Sequence, residues 1–163
     1  MSRKPVIQPR IVGHPDEMSG MPTIASLDGL VHLAETDRRD LFVRWSRGPD
    51  VDLRNGQSSR DGLTGARMPG LSANPLRVES WWTGSLRLWL ARRLHDYRHL
   101  ADLRGPGVRP WVLAGVEIER GPDNEPLVEC HAPVAWIAQR LIDEAELTVS
   151  AEQSAEWGPL DRR

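Results

Sequence analysis

Apolar residues recur at three- and four-residue spacing in three stretches of the chain, and each stretch predicts an amphipathic helix. The first covers residues 27–35 and follows Ser26, a residue type that caps helix N-termini. The second and clearest covers residues 85–100. The third is expected to begin near Pro133, because proline suits the first turn of a helix.

Other segments have the patterns of strands and loops. In residues 40–46, Leu41, Val43 and Trp45 alternate with Phe42, Arg44 and Ser46, which is typical of a strand that ends in a turn. Segments 110–119 and 127–130 are also strand-like, and residues 70–78 form a short extended piece. The polar, glycine-rich segment 48–70 predicts a long loop, and loops of that length are often functional.

These elements do not repeat in a strand–helix–strand rhythm. We therefore expect a single α+β domain over residues 23–147, with a small, mainly antiparallel sheet and about three helices. Repeated prolines predict an extended N-terminal arm over residues 1–22. Residues 148–163 are expected to form a polar C-terminal tail.

Composition narrows the class of protein. A chain of 163 residues fits one domain, and 39% hydrophobic with 27% charged residues fits neither a disordered nor a membrane protein. The formal net charge of −2 argues against a general polyanion binder, so nucleic acid is not an expected partner. Cys130, the single cysteine, excludes an internal disulfide, and the sequence has no signal-peptide pattern. From these two observations we expect a cytoplasmic location.

Several common catalytic motifs are absent from the sequence. It contains no phosphate loop, no Gly-x-Gly-x-x-Gly after a strand and no Gly-x-Ser-x-Gly elbow. Ordinary kinases, Rossmann oxidoreductases and α/β hydrolases are therefore disfavoured. His95 and His99 have the spacing of metal ligands, but no carboxylate motif accompanies them, and no metal site is expected.

Three segments have patterns that solvation alone does not explain. Residues 43–49 place an arginine in a strand beside a turn, residues 69–75 combine serine and asparagine with prolines, and residues 121–126 carry two acids two positions apart. Taken singly, each also fits a structural role: an arginine paired with an acid, a turn bonded to its own backbone, or a simple hairpin.

Taken together, the order of Arg44, Ser72 and Glu125 resembles the Arg…Ser…Glu layout of ADP-ribosyltransferases. The resemblance covers about half of the chain and implies NAD as cofactor. It implies that the Arg44 guanidinium holds the phosphates of NAD and that Ser72 supports the cleft. It further implies that Glu125 stabilises the positive charge that develops as nicotinamide leaves and orients the acceptor.

The same resemblance implies that Asn74 also lines the cleft and that Trp81 or Trp82 stacks near the nicotinamide. The chain departs from the family pattern at two places. Residues 72–74 read Ser-Ala-Asn where that family often has Ser-Thr-Ser, and Asp123 stands where it has Glu or Gln.

The position of the key acid has an alternative. Glu117 and Glu119 are two positions apart on a strand, so both carboxylates are expected on one face of the sheet. We prefer Glu125, because it follows a loop, where binding sites are commonly built.

A second resemblance covers most of the chain, roughly residues 24–146. The phrases VRWSRGPDVDL, MPGLSANPL and RGPDNEPLV resemble an uncharacterised family of small actinobacterial proteins. This resemblance implies a single cytoplasmic domain and supplies no activity, substrate or catalytic residue.

Two hypotheses of function follow. The first is an NAD-dependent enzyme that transfers ADP-ribose to a protein or nucleic-acid acceptor. The second is a non-catalytic binding or interaction module that recognises a protein or a nucleotide-like ligand. The enzyme hypothesis expects Arg44 and Glu125 to converge on one cleft with a tryptophan nearby. The module hypothesis expects them to lie apart or to be tied into local turns.

Overall fold

The computed structural model describes residues 20–54, 56–61 and 64–152. Five helices fall within these residues, of which α1, α3 and α5 have ten or more residues. In chain order the helices are α1 (Leu27–Thr36), α2 (Pro49–Arg54), α3 (Leu86–Tyr97), α4 (Leu100–Arg104) and α5 (Gln139–Ala151). In the described part of the chain, every helix is too short or too polar to cross a membrane.

Eight strands lie in the same described ranges. They are β1 (Thr23–Ile24), β2 (Leu41–Ser46), β3 (Ser58–Arg60), β4 (Arg67–Pro69), β5 (Leu71–Ser72), β6 (Asn74–Pro75), β7 (Arg109–Arg120) and β8 (Pro126–Ile137). The main sheet has the order β1–β8–β7–β2–β6, and β5 also pairs with β8. The strands β3 and β4 form a separate two-stranded sheet.

The fold therefore mixes helices and strands, as expected, although the finer description fits only roughly. The expectation of about three helices accounts for α1, α3 and α5 and omits the short helices α2 and α4. The main sheet is mixed, because β1 runs parallel to β8 while the other pairs are antiparallel.

Two of the predicted helix starts are confirmed. The side chain of Ser26 accepts a hydrogen bond from the main-chain N–H of Gly29 at 3.1 Å. Ser85 does the same for Leu88 at 3.1 Å. Each serine thereby satisfies one of the N–H groups that a helix leaves without a partner at its first turn.

The prediction of a helix that begins near Pro133 is wrong. Pro133 lies within β8 opposite Leu113, and α5 begins only at Gln139. Proline has no N–H to donate to a neighbouring strand. The ladder between β7 and β8 tolerates Pro133 because its register shifts beside Leu113, where the pairing is already irregular. Pairing along this hairpin of two twelve-residue strands thus overrides the local preference of proline for a helix start.

The main sheet separates two apolar clusters. The residues Leu41, Val43 and Trp45 of β2 pack with α1, α3 and α5 in the larger cluster. Phe42, between them in sequence, belongs to a smaller cluster with residues of β5, β7 and β8. Because neighbouring strand residues point to opposite faces, the face that holds Phe42 also receives Arg44 and Ser46. The alternation in β2 is as predicted, and all six of its residues are buried.

Segment 48–70 is not the structureless loop that the sequence predicted, because α2, β3 and β4 lie within it. These elements are too short to produce a recognisable apolar period. The side chains of Asp52 and Ser59 are polar and buried. Their hydrogen bonds to Ser46 and Ser72 connect the segment to the main sheet.

The N-terminal arm was predicted over residues 1–22, of which residues 1–19 lie outside the described part. The remainder is attached to the sheet. Met21 is buried in the smaller cluster, and the main-chain oxygen of Pro22 accepts a hydrogen bond from the N–H of Trp136 at 2.8 Å.

The C-terminal boundary drawn before residue 148 falls inside α5. This helix continues to Ala151 and buries Val149 against the larger cluster. The rest of the predicted tail, residues 153–163, lies outside the described part of the chain.

A glycine in the β7–β8 hairpin provides a test of this fold. Gly115 lies at a register shift, and a Cβ there would overlap the main-chain oxygen of Glu129. We expect Gly115→Ala to lower the free energy of unfolding by about 2 kcal/mol, since overpacking a tight site forces the backbone to move. Chemical denaturation measures this difference.

The matched control is Gly29→Ala on α1. A Cβ at Gly29 would lie 3.3 Å from side-chain atoms, and alanine favours a helix over glycine by about 1 kcal/mol. We expect no loss of stability from this change. Equal stability of wild type and Gly115→Ala would contradict the close approach of the two strands.

Candidate functional site

A buried ion pair lies at the end of β2, on the sheet face away from the long helices. The Arg44 guanidinium donates to both carboxylate oxygens of Asp52, at 2.7 Å from Nε and 3.3 Å from Nη2. Each residue is only 8% exposed. A buried charge without a partner is strongly unfavourable, so this pair fixes α2 against β2.

Ser46 completes the surroundings of the carboxylate. Its hydroxyl donates to Oδ2 of Asp52 at 2.5 Å. The hydroxyl oxygen of Ser46 in turn accepts from Nε1 of Trp111 at 2.8 Å and from the main-chain N–H of Gly48 at 3.1 Å. The Asp52 side chain therefore has partners from two neighbouring side chains and cannot rotate without breaking several hydrogen bonds.

The ion pair also holds the strand that follows the β3–β4 hairpin. Nη1 of Arg44 donates to the main-chain oxygen of Ser72 at 2.9 Å. The hydroxyl of Ser59 accepts from the N–H of Ser72 at 2.8 Å and donates to the oxygen of Gly70 at 2.9 Å. Arg44 and Ser72 are therefore in contact, through the guanidinium of Arg44 and the main-chain carbonyl of Ser72.

Beside these groups lies a cavity of about 540 Å³, which we call the wide pocket. It is bounded by β3, by the β5–β6 segment, by the end of α3, by α4 and by the turn between β7 and β8. Its lining residues are Arg60, Asp61, Met68, Ser72, Asn74, Tyr97, His99, Leu100, Leu103, Arg104, Asp123, Asn124, Glu125 and Pro126. Three residues singled out from the sequence, Ser72, Asn74 and Glu125, therefore border one cavity.

A smaller cavity of about 240 Å³ adjoins the wide pocket, and we call it the arginine recess. Arg60 and Arg104 line both cavities. The lining residues of the recess are Arg44, Trp45, Ser46, Arg47, Val51, Asp52, Ser59, Arg60, Arg104 and Val108. The recess thus combines four guanidinium groups with one carboxylate.

Arg104, at the end of α4, is the most perturbed cation of the site. Its Nη1 donates to the main-chain oxygen of Trp45 at 2.7 Å. Although much of the residue is exposed, desolvation of the guanidinium and, to a smaller extent, the nearby positive charge of Arg44 lower its pKa to about 10. The carboxylates of Asp52 and Glu125 act in the opposite direction.

The carboxylate of Glu125 is part of the turn between β7 and β8. Its Oε2 accepts the main-chain N–H of Asp123 at 2.9 Å. It also lies against Gly121, where a side chain would collide with it. The alternative acids, Glu117 and Glu119, flank a register shift in β7 and do not line the wide pocket.

The two adjacent tryptophans lie elsewhere. Trp81 and Trp82 pack edge to face with each other and with Trp89 of α3, with ring centroids 5.4 to 5.9 Å apart. All three contact the larger apolar cluster. Neither Trp81 nor Trp82 lines the wide pocket or the recess, and Tyr97 supplies the aromatic ring among the residues that line the wide pocket.

A larger, open groove of about 730 Å³ lies along the β3–β4 hairpin. The partly exposed Leu53 and Ile118 contribute to its apolar lining. Its charged lining residues, Arg67 and Glu129, carry opposite signs. The wide pocket and the recess bring together more hydrogen-bonding and charged groups, so we treat them as the candidate site.

Several residues of this site were not found from the sequence. Asp52 lies in a segment whose sequence pattern predicts a loop, and Arg47, Arg60 and Arg104 are separated by 13 and 44 positions in a chain rich in arginine. No local pattern singles out Asp52, because the Gly-Pro-Asp sequence after β2 covers residues 48–50 and Asp52 lies further along the short helix α2. The arginines meet only through tertiary contacts, which no local pattern reveals.

The structure defines a mixed α/β domain with a buried arginine–aspartate pair beneath a polar pocket. Residues 17–158 match the model of the family of unknown function DUF6098, and the chain belongs to that family. This confirms that it is a member of an uncharacterised family. Searches of curated proteins and of solved structures found no match. Among the described residues, no group of three or more His, Cys, Asp or Glu is placed to hold a metal ion.

The ion pair makes a stability prediction. We expect Asp52→Asn to lower the free energy of unfolding by about 3 kcal/mol, because it leaves the Arg44 guanidinium buried without a countercharge. The control is Asp37→Asn, which removes a carboxylate paired at 2.7 Å with the exposed Arg39 and is expected to cost less than about 1 kcal/mol. Similar losses for the two variants would contradict the structural role given to Asp52.

Proposed function

We propose that the chain is a non-catalytic binding domain for a small nucleotide-like ligand, which occupies the wide pocket. The observation that carries this proposal is the pocket itself. Its volume of about 540 Å³ lies within the range of small-molecule sites, roughly 300–1,000 Å³. Its lining comes from several separate elements, so a ligand there would contact much of the domain.

The chemistry of the lining suits a base and a sugar. Tyr97, Leu100 and Leu103 supply aromatic and apolar surface, against which a flat base packs favourably. Ser72 and Asn74 supply a hydroxyl and an amide, which form hydrogen bonds with sugar hydroxyls and with the edge of a base. This combination of an apolar wall with a few polar groups is typical of small-ligand sites.

The bonding of the two residues assigned to NAD chemistry favours binding over catalysis. Arg44 uses its Nε, Nη1 and Nη2 groups on Asp52 and on the main chain of Ser72. Glu125 accepts a hydrogen bond within its own turn. Both side chains thus have structural partners, the arrangement that the module hypothesis expects.

ADP-ribosyl transfer is a second candidate, favoured by one observation. Glu125 borders the same cavity as Ser72 and Asn74. In this reaction the bond between nicotinamide and C1′ of the ribose breaks, nicotinamide leaves with the bonding electrons, and an acceptor nucleophile attacks C1′. The Glu125 carboxylate would stabilise the positive charge on the ribose.

Blocking the wide pocket tests the binding proposal. Leu103 is 75% exposed and lines the pocket, so Leu103→Trp adds bulk at its edge without disturbing the core. We expect wild type to bind ADP in a calorimetric titration and Leu103→Trp to bind it no longer.

The matched control is Leu147→Trp on α5. Leu147 is 72% exposed and does not line the pocket. We expect this variant to bind ADP as wild type does. Binding that survives in Leu103→Trp, or an absence of binding by wild type to ADP, AMP and adenosine at millimolar concentration, would contradict the proposal.

The enzymatic candidate has its own test, the release of nicotinamide from NAD measured by chromatography. If the transferase mechanism operates, wild type releases nicotinamide and Glu125→Gln, which lacks the negative charge, does not. Glu129→Gln is the control, because Glu129 is exposed on β8 and does not line the wide pocket. Equal release by wild type and Glu125→Gln would exclude the assigned role, and no release by wild type would leave binding as the function.

A further inference from the structure

The residues that line the arginine recess carry a net positive charge. Its lining includes four guanidinium groups and a single carboxylate, that of Asp52. Arg44 takes both oxygens of this carboxylate. The charges of Arg47, Arg60 and Arg104 therefore have no carboxylate partner in the recess.

The hydrogen bonds of these three arginines use little of their donor capacity. Within the described residues each donates to one main-chain carbonyl. These bonds are Arg47 Nε to Pro106 at 3.1 Å, Arg60 Nη1 to Gly65 at 3.3 Å and Arg104 Nη1 to Trp45 at 2.7 Å. A guanidinium has five N–H groups, so each arginine retains donors for a ligand.

The electrostatics of Arg104 indicate that the recess favours an anion. Desolvation and the neighbouring charge of Arg44 both lower the pKa of this side chain, so the site disfavours its positive charge. An anion bound between the arginines would reverse this effect. Tetrahedral phosphate oxygens match the forked donors of guanidinium groups, and such charge-assisted hydrogen bonds are stronger than neutral ones.

The lining of the wide pocket is of mixed charge, with more carboxylates than guanidinium groups. Its lining includes the carboxylates of Asp61, Asp123 and Glu125. These groups repel a negatively charged part of a ligand, whereas the adjoining recess attracts it. Since Arg60 and Arg104 line both cavities, a single molecule of nucleotide size would extend from one into the other.

We propose that the arginine recess binds the phosphate of a phosphorylated nucleotide-like ligand through Arg47, Arg60 and Arg104, while the remainder of the ligand lies in the wide pocket. This assignment rests on the function proposed above. Arg44 acts as a positioning residue, which holds Asp52 and the Ser72 main chain and adds positive charge to the recess. The resemblance to ADP-ribosyltransferases implies that Arg44 holds the phosphates, and this proposal assigns that role to three other arginines.

The experiment compares ADP with adenosine, two probes that differ in the phosphates alone. Both are titrated calorimetrically into wild type, into the double variant Arg47→Ala/Arg60→Ala and into the control Arg77→Ala. The substituted arginines are all exposed, and Arg77 lines neither cavity. Each variant is first checked for an unfolding midpoint equal to that of wild type.

We expect wild type and Arg77→Ala to bind ADP about tenfold more tightly than adenosine, or better, since hydrogen bonds to charged groups contribute at least this much. The double variant should lose that difference and retain its affinity for adenosine. Equal affinity of wild type for both probes, or a preference for ADP that the double variant keeps, would overturn the phosphate assignment and leave the wide pocket as a ligand site. If neither probe binds at millimolar concentration, the proposed function fails and the phosphate assignment fails with it.

Discussion

The organisation of the site depends on the buried pair of Arg44 and Asp52. Neither charge is stable there alone, because burial removes the water that would solvate it. Their mutual bonds, with those to Ser46 and the Ser72 main chain, connect β2 to α2 and to β5. The elements β2 and α2 follow each other closely in the chain, whereas β5 comes later, and both β2 and α2 line the arginine recess. The ion pair thus connects the lining of the recess to Ser72, which lines the wide pocket.

The main sheet divides structural and functional roles between its two faces. One face packs against α1, α3 and α5 in the larger apolar cluster, where burial of apolar area supplies most of the stability. The other face has a smaller apolar cluster and, beside it, the polar groups at the end of β2. Burial of polar groups requires that each find a partner, which explains the dense hydrogen bonding around Ser46 and Asp52.

The features that could be predicted from the sequence are those that depend on residues close together in the chain. Serine caps and apolar periodicity located α1 and α3, and alternation located β2. The helix expected near Pro133 failed because a long-range strand pairing overrode a local preference. In the site, Ser72 and Asn74 could be singled out by their unusual segment, and they line one pocket. Asp52 and Arg104 could not, since only the tertiary fold brings them near Arg44.

The most direct test of this account is a crystal structure of the protein grown with ADP. The account predicts phosphate oxygens within hydrogen-bond distance of Arg47, Arg60 and Arg104, with the nucleoside in the wide pocket and the bond between Arg44 and Asp52 intact. ADP bound outside the two cavities, or bound with its phosphates turned away from the recess toward solvent, would contradict it.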